Sequence, residues 1–129
     1  MVMSYKKLFG NYFKEKRLEQ SISLRQFCLE HGFDPGNISK MERGLLAPPS
    51  RSELLSKYAR ALELKEGTDD WTEFFDRAAA CRGEMPIEIL QDEELVQKLP
   101  LFFRTLRGEK LTEKKLEEIK ELIKRGGYN

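Results

Sequence analysis

Residues 23–44 read SLRQFCLEHGFDPGNISKMERG, and this stretch decides the fold because it carries start and stop signals for two consecutive helices. Ser23 followed by Gln26 has the form of a capping box, in which each side chain satisfies a backbone N–H of the other residue. Gly32 is typical of a helix end, since glycine adopts the left-handed conformation at low cost. The dipeptide Asp34-Pro35 is typical of a new helix start. The stretch therefore predicts two short helices joined by a tight turn.

This pair of predicted helices has two interpretations. Two short helices joined by a turn of about four residues that contains glycine match a helix-turn-helix. An ordinary helical hairpin in a small bundle uses the same caps and the same kind of turn. Local geometry leaves both open.

Helix signals continue on both sides of this stretch, and no segment alternates apolar and polar residues for long enough to predict a strand. We therefore expect an all-α protein. The periodicity predicts helices at about residues 7–19, 24–31, 35–43, 51–63 and 71–81, a turn of helix at 92–98 before a proline, and a final helix at 113–124.

Some details of these helices are specific predictions. Leu8 is expected to share the buried face of the first helix with Phe9, Tyr12 and Phe13. Ser50, three residues before Glu53, and Asp70, three residues before Glu73, are the expected N-terminal caps of the fourth and fifth helices.

Length and hydropathy limit the class of protein. A chain of 129 residues favours one compact domain, or one small domain with an appendage. It contains no run of about 18 uncharged apolar residues and no apolar segment of a secretory signal near its start. We therefore expect a cytoplasmic protein with no membrane partner.

The net charge of +1 hides an asymmetry along the chain. Residues 1–66 carry 12 Lys and Arg against 8 Asp and Glu, whereas residues 67–129 carry 11 against 14. A basic first half joined to an acidic second half is compatible with a module that faces nucleic acid and a segment that does other work.

The inventory of reactive side chains is small. Cys28 and Cys81 lie 53 positions apart, and His31 is the only histidine, so no metal site is predicted from spacing. The sequence has no glycine-rich phosphate loop and no G-x-S-x-G motif. We expect no cofactor and no enzymatic activity, with both thiols reduced and structural.

The residues themselves resemble a known family. The run from Ser23 to Cys28, followed by the run from Asp34 to Gly44 with its Ile-Ser-Lys-Met-Glu-Arg-Gly ending, is similar to the helix-turn-helix of the Cro and lambda-repressor superfamily, also called the XRE family. The resemblance covers about residues 8–66. Together with the predicted helices, the resemblance implies a five-helix DNA-binding domain at 1–82, with its helix-turn-helix at 24–43. The remaining residues, 83–129, are expected to form a helical extension.

The resemblance also implies that the third helix enters the major groove of double-stranded DNA. Ile38 and Met41, three positions apart, are expected to face the core, which leaves Asn37 and Lys40 on the opposite face. A carboxamide pairs with adenine and an ammonium donates to guanine, so these two are the expected base contacts. A merely solvated polar face is the alternative. Gly36, next to Pro35, has no side chain to read a base and is expected to let the backbone approach the DNA.

Other polar residues suit phosphate contacts, which position a protein without reading sequence. The expected phosphate contacts are Ser23, Arg25, Ser39, Arg43 and Arg51. The resemblance further implies a partly buried structural ion pair between Arg17 and Glu42.

The expected function is that of a sequence-specific transcriptional regulator, a repressor that binds an inverted-repeat operator as a homodimer. Its extension is expected to form the dimer or partner interface through its apolar residues, namely Leu101, Phe102, Phe103, Leu106, Leu116, Ile119, Leu122 and Ile123.

Two alternatives stay open. In the first, the protein is an antitoxin whose extension neutralises a toxin protein while its DNA-binding domain represses the shared operon. In the second, the domain has lost DNA binding and serves as a scaffold, which Pro35, Gly36 and the small net charge would favour.

Overall fold

The computed structural model describes residues 4–108, 113–114, 117–118 and 120–121. Within residues 4–108 it is helical without strands, so the prediction of an all-α protein is confirmed. The helices are α1 (Tyr5–Leu18), α2 (Leu24–His31), α3 (Pro35–Glu42), α4 (Ser52–Ala61), α5 (Asp69–Arg82), α6 (Ile87–Leu90) and α7 (Glu93–Leu106). None of the helices in the described part of the chain has both the length and the apolar character that a membrane span requires.

The chain divides into two compact units, Met1–Glu84 and Met85–Asn129. The first unit contains α1 to α5, and its core is built around Phe13, which is completely buried. The Phe13 ring lies 6.0 Å from Phe27, 5.8 Å from Tyr58 and 6.4 Å from Phe74 between ring centroids. These partners come from α2, α4 and α5, so one aromatic side chain of α1 joins four helices. Such aromatic contacts contribute beyond the apolar area that they bury.

The buried face of α1 differs from the prediction at Leu8, which is 53% exposed. The buried residues of α1 are Phe9, Gly10, Tyr12, Phe13 and Arg17. A helix turns by about 100° per residue, so this set defines an arc centred between Phe9 and Phe13, and Leu8 falls outside it. The prediction was wrong at Leu8 because it placed the buried face from the large apolar side chains alone, without counting Gly10 and Arg17 as part of that face.

Helix α4 begins and ends inside the predicted range. Its N-cap is Arg51, with no side-chain hydrogen bond, so the capping box predicted at Ser50 is wrong. It ends at Ala61, because Glu63 takes a left-handed φ of 64° and Leu64 N–H donates back to the Ala59 carbonyl. The residue that takes this conformation at a helix end is usually glycine. Because a glutamate takes it here, the sequence carries no signal for the end of α4.

Helix α5 is longer than predicted. Thr68, rather than Asp70, is its N-cap, and the Thr68 hydroxyl accepts from Trp71 N–H at 3.3 Å. This register places Asp69 and Asp70 in the first turn, where the positive end of the helix dipole stabilises carboxylates.

The second unit differs most from its prediction. Helix α6 was not predicted, and α7 runs through Pro100, whereas the sequence predicts only a turn of helix before that proline. An interior proline gives up one backbone hydrogen bond and costs about 3 kcal/mol. Two local contacts support the helix on either side of it: Asp92 Oδ1 accepts from Leu95 N–H at 3.1 Å, and the Thr105 hydroxyl donates to the Leu101 carbonyl at 2.9 Å.

Of the predicted final helix, residues 113–114, 117–118 and 120–121 are helical. Leu116, Ile119, Leu122 and Ile123, which were predicted as interface residues, lie outside the described residues.

Candidate nucleic-acid interface

Helices α2 and α3 form the predicted pair of short helices. Capping residues account for the start and end of α2 and for the start of α3. The Ser23 hydroxyl accepts from Gln26 N–H at 3.1 Å, and Gly32 ends α2 with a φ of 70°. Asp34 Oδ1 accepts from Gly36 N–H at 3.2 Å and opens α3. The capping box is only half formed, because the Gln26 side chain donates to Glu30 one turn on instead of reaching back to the cap.

A buried ion pair holds α3 against α1. Arg17 Nε and Nη2 donate to the two carboxylate oxygens of Glu42, each at 2.8 Å, and the two residues are 4% and 5% exposed. Arg17 Nη1 also donates to the Ile22 carbonyl at 3.0 Å, just before α2. The Glu42 carboxylate that accepts these bonds raises the pKa of Arg17. One guanidinium therefore ties α1, the start of α2 and the end of α3 together in bidentate geometry.

Two glycines let α1 and the end of α3 approach closely. This packing role was not predicted from the sequence for either glycine. A Cβ added to Gly10 would collide with the carbonyl oxygens of Met41 and Glu42. Gly44 has a φ of 78°, and a Cβ added there would lie 2.8 Å from the Lys7 Cα. The signal that was available is the position of Gly10, a costly residue in a helix interior, between Phe9 and Phe13.

The other face of α3 is exposed. Ile38 and Met41 are 1% and 3% exposed, whereas Gly36, Asn37 and Lys40 lie on the surface. The side chains of Asn37 and Lys40 make no hydrogen bond or ion pair with any residue that the structure describes. Helix α3 thus presents a carboxamide and an ammonium, one turn of helix apart, with their donors available to a ligand.

Ser39 and Arg43, predicted as phosphate contacts, lie next to each other at the end of α3. Arg43 Nε donates to the Ser39 hydroxyl at 3.2 Å and to the Ser39 carbonyl at 3.3 Å. Arg43 is exposed and Ser39 is half-buried. These bonds restrain the guanidinium beside the exposed face of α3.

The start of α2 presents a second set of donors. Arg25 is exposed in its first turn. The N–H groups of Leu24 and Arg25 have no backbone acceptor within residues 4–108, while the Ser23 hydroxyl already serves as the cap. Free N–H groups at the positive end of a helix suit an anion.

Arg51, the remaining predicted phosphate contact, lies on a different element. It is the N-cap of α4, and its Nη2 lies 3.8 Å from Glu53 Oε2. Both side chains are more than three-quarters exposed, so this surface ion pair restrains the arginine weakly.

The four predicted interface residues that the structure describes in the second unit divide into two groups by exposure. Phe103 and Leu106 are 37% and 67% exposed. Leu101 and Phe102 are half-buried. Positions 103 and 106 are three residues apart, so the exposed pair lies on one side of α7. Val96, seven residues before Phe103, lies on the same side and is also exposed, but it was not among the predicted interface residues.

The remaining reactive groups are buried or scattered. Burial raises the pKa of both thiols, Cys28 and Cys81, which keeps them protonated and unreactive near neutral pH. Within the part of the chain that the structure describes, no three His, Cys, Asp or Glu side chains are grouped so that they could hold a metal ion.

No family model, no curated protein and no solved structure matches the chain. The function is therefore inferred from the side chains that α2 and α3 present to solvent, together with the resemblance of residues 23–44 to the Cro and lambda-repressor helix-turn-helix.

Proposed function

We propose that this protein is a sequence-specific DNA-binding regulator, a cytoplasmic repressor with a lambda-repressor-like domain that binds an inverted-repeat operator as a homodimer. The observation that carries the proposal is the two-sidedness of α3. One face is held by Ile38, Met41 and the buried pair of Glu42 with Arg17. The other face presents Asn37 and Lys40 without partners among the described residues. A rigid helix with unused donors matches what the major groove requires.

The chemistry of the exposed face determines which bases it reads. The Asn37 carboxamide both donates and accepts, as pairing with adenine N6 and N7 requires. The Lys40 ammonium donates to guanine O6 and N7. Each such contact discriminates against the wrong base by about 1–3 kcal/mol.

Gly36 fits a close approach of the α3 backbone to DNA. Its φ lies outside the left-handed region, and a Cβ there would meet only the Asp34 carboxylate, at 3.6 and 3.8 Å. Neither backbone conformation nor packing against the residues that the structure describes thus requires glycine at this position. A contact outside the chain supplies a reason for it, and DNA shape would then contribute to selectivity.

Phosphate contacts complete the interface. Arg43, restrained by Ser39, lies beside the base-reading face, and Arg25 lies with the free N–H groups at the start of α2. We assign Arg51 a contact with the DNA phosphate backbone beside the bases that α3 reads. These groups position the protein, and they make its affinity depend on salt.

A homodimer follows from the size of the reading face. One short helix contacts few base pairs, so a two-fold pair of α3 helices, about 34 Å apart, is needed to read two successive major grooves. The extension is the region to which we assign the dimer contact.

The experiment that tests the proposal is selection of bound duplexes from a randomised DNA pool, with the full chain at near-physiological salt. The expected result is enrichment of an inverted repeat whose half-sites are about 10 base pairs apart. A folded sample that enriches no sequence would overturn the proposal in favour of a scaffold or an antitoxin that acts through a protein partner.

A matched pair of variants assigns the reading face. Lys40→Ala should relax the preference at one base pair and cost about 1–3 kcal/mol on the selected duplex but little on random DNA. Lys57→Ala removes the same charge from an exposed position on α4 and should leave the preference unchanged. Equal losses for both variants on both duplexes would contradict the role given to Lys40.

A further inference from the structure

Helix α7 carries an exposed apolar stripe with the spacing of a coiled-coil seam. Val96, Phe103 and Leu106 are 38%, 37% and 67% exposed, and the half-buried Leu99 lies between them. Positions 96, 99, 103 and 106 follow one another at intervals of three, four and three residues. These are the a and d positions of two heptads, the pattern that packs one helix against another.

Charged residues flank this seam at its two ends. With Val96 at position a, Glu93 and Arg107 both fall at position e, and Pro100 occupies the e position midway between them. Glu93 lies in the first turn of α7 and Arg107 is its C-cap; both are exposed and neither forms an ion pair with another described residue. One end of the seam is therefore acidic and the other is basic.

The order of these charges matches a second copy of α7 in the opposite direction. In an antiparallel pair, position e faces position e of the partner helix, so Glu93 of each copy meets Arg107 of the other. In a parallel pair, position e faces position g, and the g positions hold the apolar Leu95 and Phe102. Antiparallel pairing also sets the two helix dipoles in opposite directions.

We propose that α7 is the homodimer contact, packed antiparallel against α7 of a second copy about a two-fold axis near Pro100. This inference rests on the homodimer of the proposed function and adds its surface, its register and its direction. The contact covers Val96, Phe103 and Leu106 and forms two symmetric Glu93 to Arg107 ion pairs. Because the seam spans only two heptads, the dimer dissociates on dilution.

The first test measures the mass of the full chain by sedimentation equilibrium over a concentration series, without DNA. The expected mass rises toward twice the 15.1 kDa of one chain. Phe103→Glu places a charge in the seam and should leave a folded monomer, with circular dichroism as the check of folding. Leu29→Glu makes the same change at an exposed leucine of α2, outside the seam, and should dimerise like the parent chain.

The second test uses charge reversal to fix the direction. Glu93→Arg and Arg107→Glu, each alone, replace both ion pairs by like charges and should weaken self-association about tenfold. When the two variants are mixed, both opposed pairs in the heterodimer carry opposite charges, so the mixture should associate as tightly as the parent chain. Failure of the mixture to recover would overturn the antiparallel register.

Dimer formation and DNA binding are measured separately, so the two proposals fail separately. A dimer with the expected charge-swap behaviour that enriches no duplex overturns the regulator and retains the α7 contact. A chain that enriches an inverted repeat but whose mass is unchanged by Phe103→Glu overturns the α7 contact and retains the regulator.

Discussion

The two faces of α3 differ in what holds their side chains. On the inner face, the structure accounts for each residue: Ile38 and Met41 lie in the apolar core, and Glu42 accepts two hydrogen bonds from Arg17. On the outer face, no residue that the structure describes bonds to the side chains of Asn37 or Lys40. The inner face fixes the position of the helix, and the outer face is left for chemistry with a ligand.

The contrast also explains why the glycines near α3 have different roles. Gly10 is required by packing, because carbonyl groups of α3 occupy the space where its Cβ would be. A Cβ added to Gly36 would make only ordinary van der Waals contacts with the Asp34 carboxylate, so none of the described residues collides with it. A substitution at Gly10 therefore tests the packing of the fold, whereas a substitution at Gly36 tests binding to DNA.

The largest effect is expected from Glu42→Ala. It leaves the Arg17 guanidinium buried without its carboxylate, and it should lower the free energy of unfolding by about 3–5 kcal/mol. Urea denaturation followed by circular dichroism measures this change. The double variant Arg17→Met with Glu42→Leu removes both charges and should recover most of the loss. A single variant as stable as the parent chain would contradict a structural role for the pair.

A smaller loss of stability is expected from Gly10→Ala. The added methyl group collides with backbone rather than with a flexible side chain, so α1 and α3 must separate, at a cost of about 1–3 kcal/mol. Because the shift moves α3, affinity for the selected duplex should fall too. Unchanged stability would mean that the contact between α1 and α3 relaxes freely, and the distinction between the two glycines would be lost.

Arg43→Ala probes the border between the two faces and should leave stability nearly unchanged. As a phosphate contact, Arg43 should contribute equally to all duplexes, so its loss weakens specific and random binding alike and lowers the salt slope by about one. Titrations at several salt concentrations measure the slope. A loss confined to the selected duplex would instead make Arg43 a base contact.

The smallest effect, and one of opposite sign, is expected from Gly36→Ala. Alanine at this exposed helical position should raise the free energy of unfolding by about 0.5 kcal/mol, since the unfolded chain loses freedom. If the backbone approaches DNA here, the same variant binds the selected duplex more weakly. Unchanged DNA affinity would remove Gly36 from the interface.

Much of the fold was predictable because helix ends depend on residues close in sequence. Both ends of α2 and the start of α3 follow from Ser23, Gly32 and Asp34, each of which bonds within a few positions. The burial of Ile38 and Met41 follows from their spacing of three residues. These predictions were confirmed because a cap or a helical face needs no knowledge of distant contacts.

The wrong predictions concern positions where two side chains could cap the same helix, or where the surrounding residues determine which hydrogen bond forms. Thr68 and Asp70 both have the side chain of an N-cap, and the register with two carboxylates in the first turn is the one adopted. The Gln26 side chain donates a hydrogen bond to Glu30 instead of to the cap of its own helix. Pro100 predicts a helix end, yet α7 continues through it, because one lost hydrogen bond does not outweigh the remaining helix.

By itself, the sequence determined the all-helical class, the start and end of α2 and α3, and which side of α3 is apolar, since all of these follow from chemistry within a turn or two of helix. Only the tertiary structure decided the close approach at Gly10, the bidentate geometry of Arg17 with Glu42 across 25 residues, and the exposure of Val96 with Phe103 on a continuous α7. These features depend on which distant segments meet, because packing and burial belong to the folded chain and not to any short window of it.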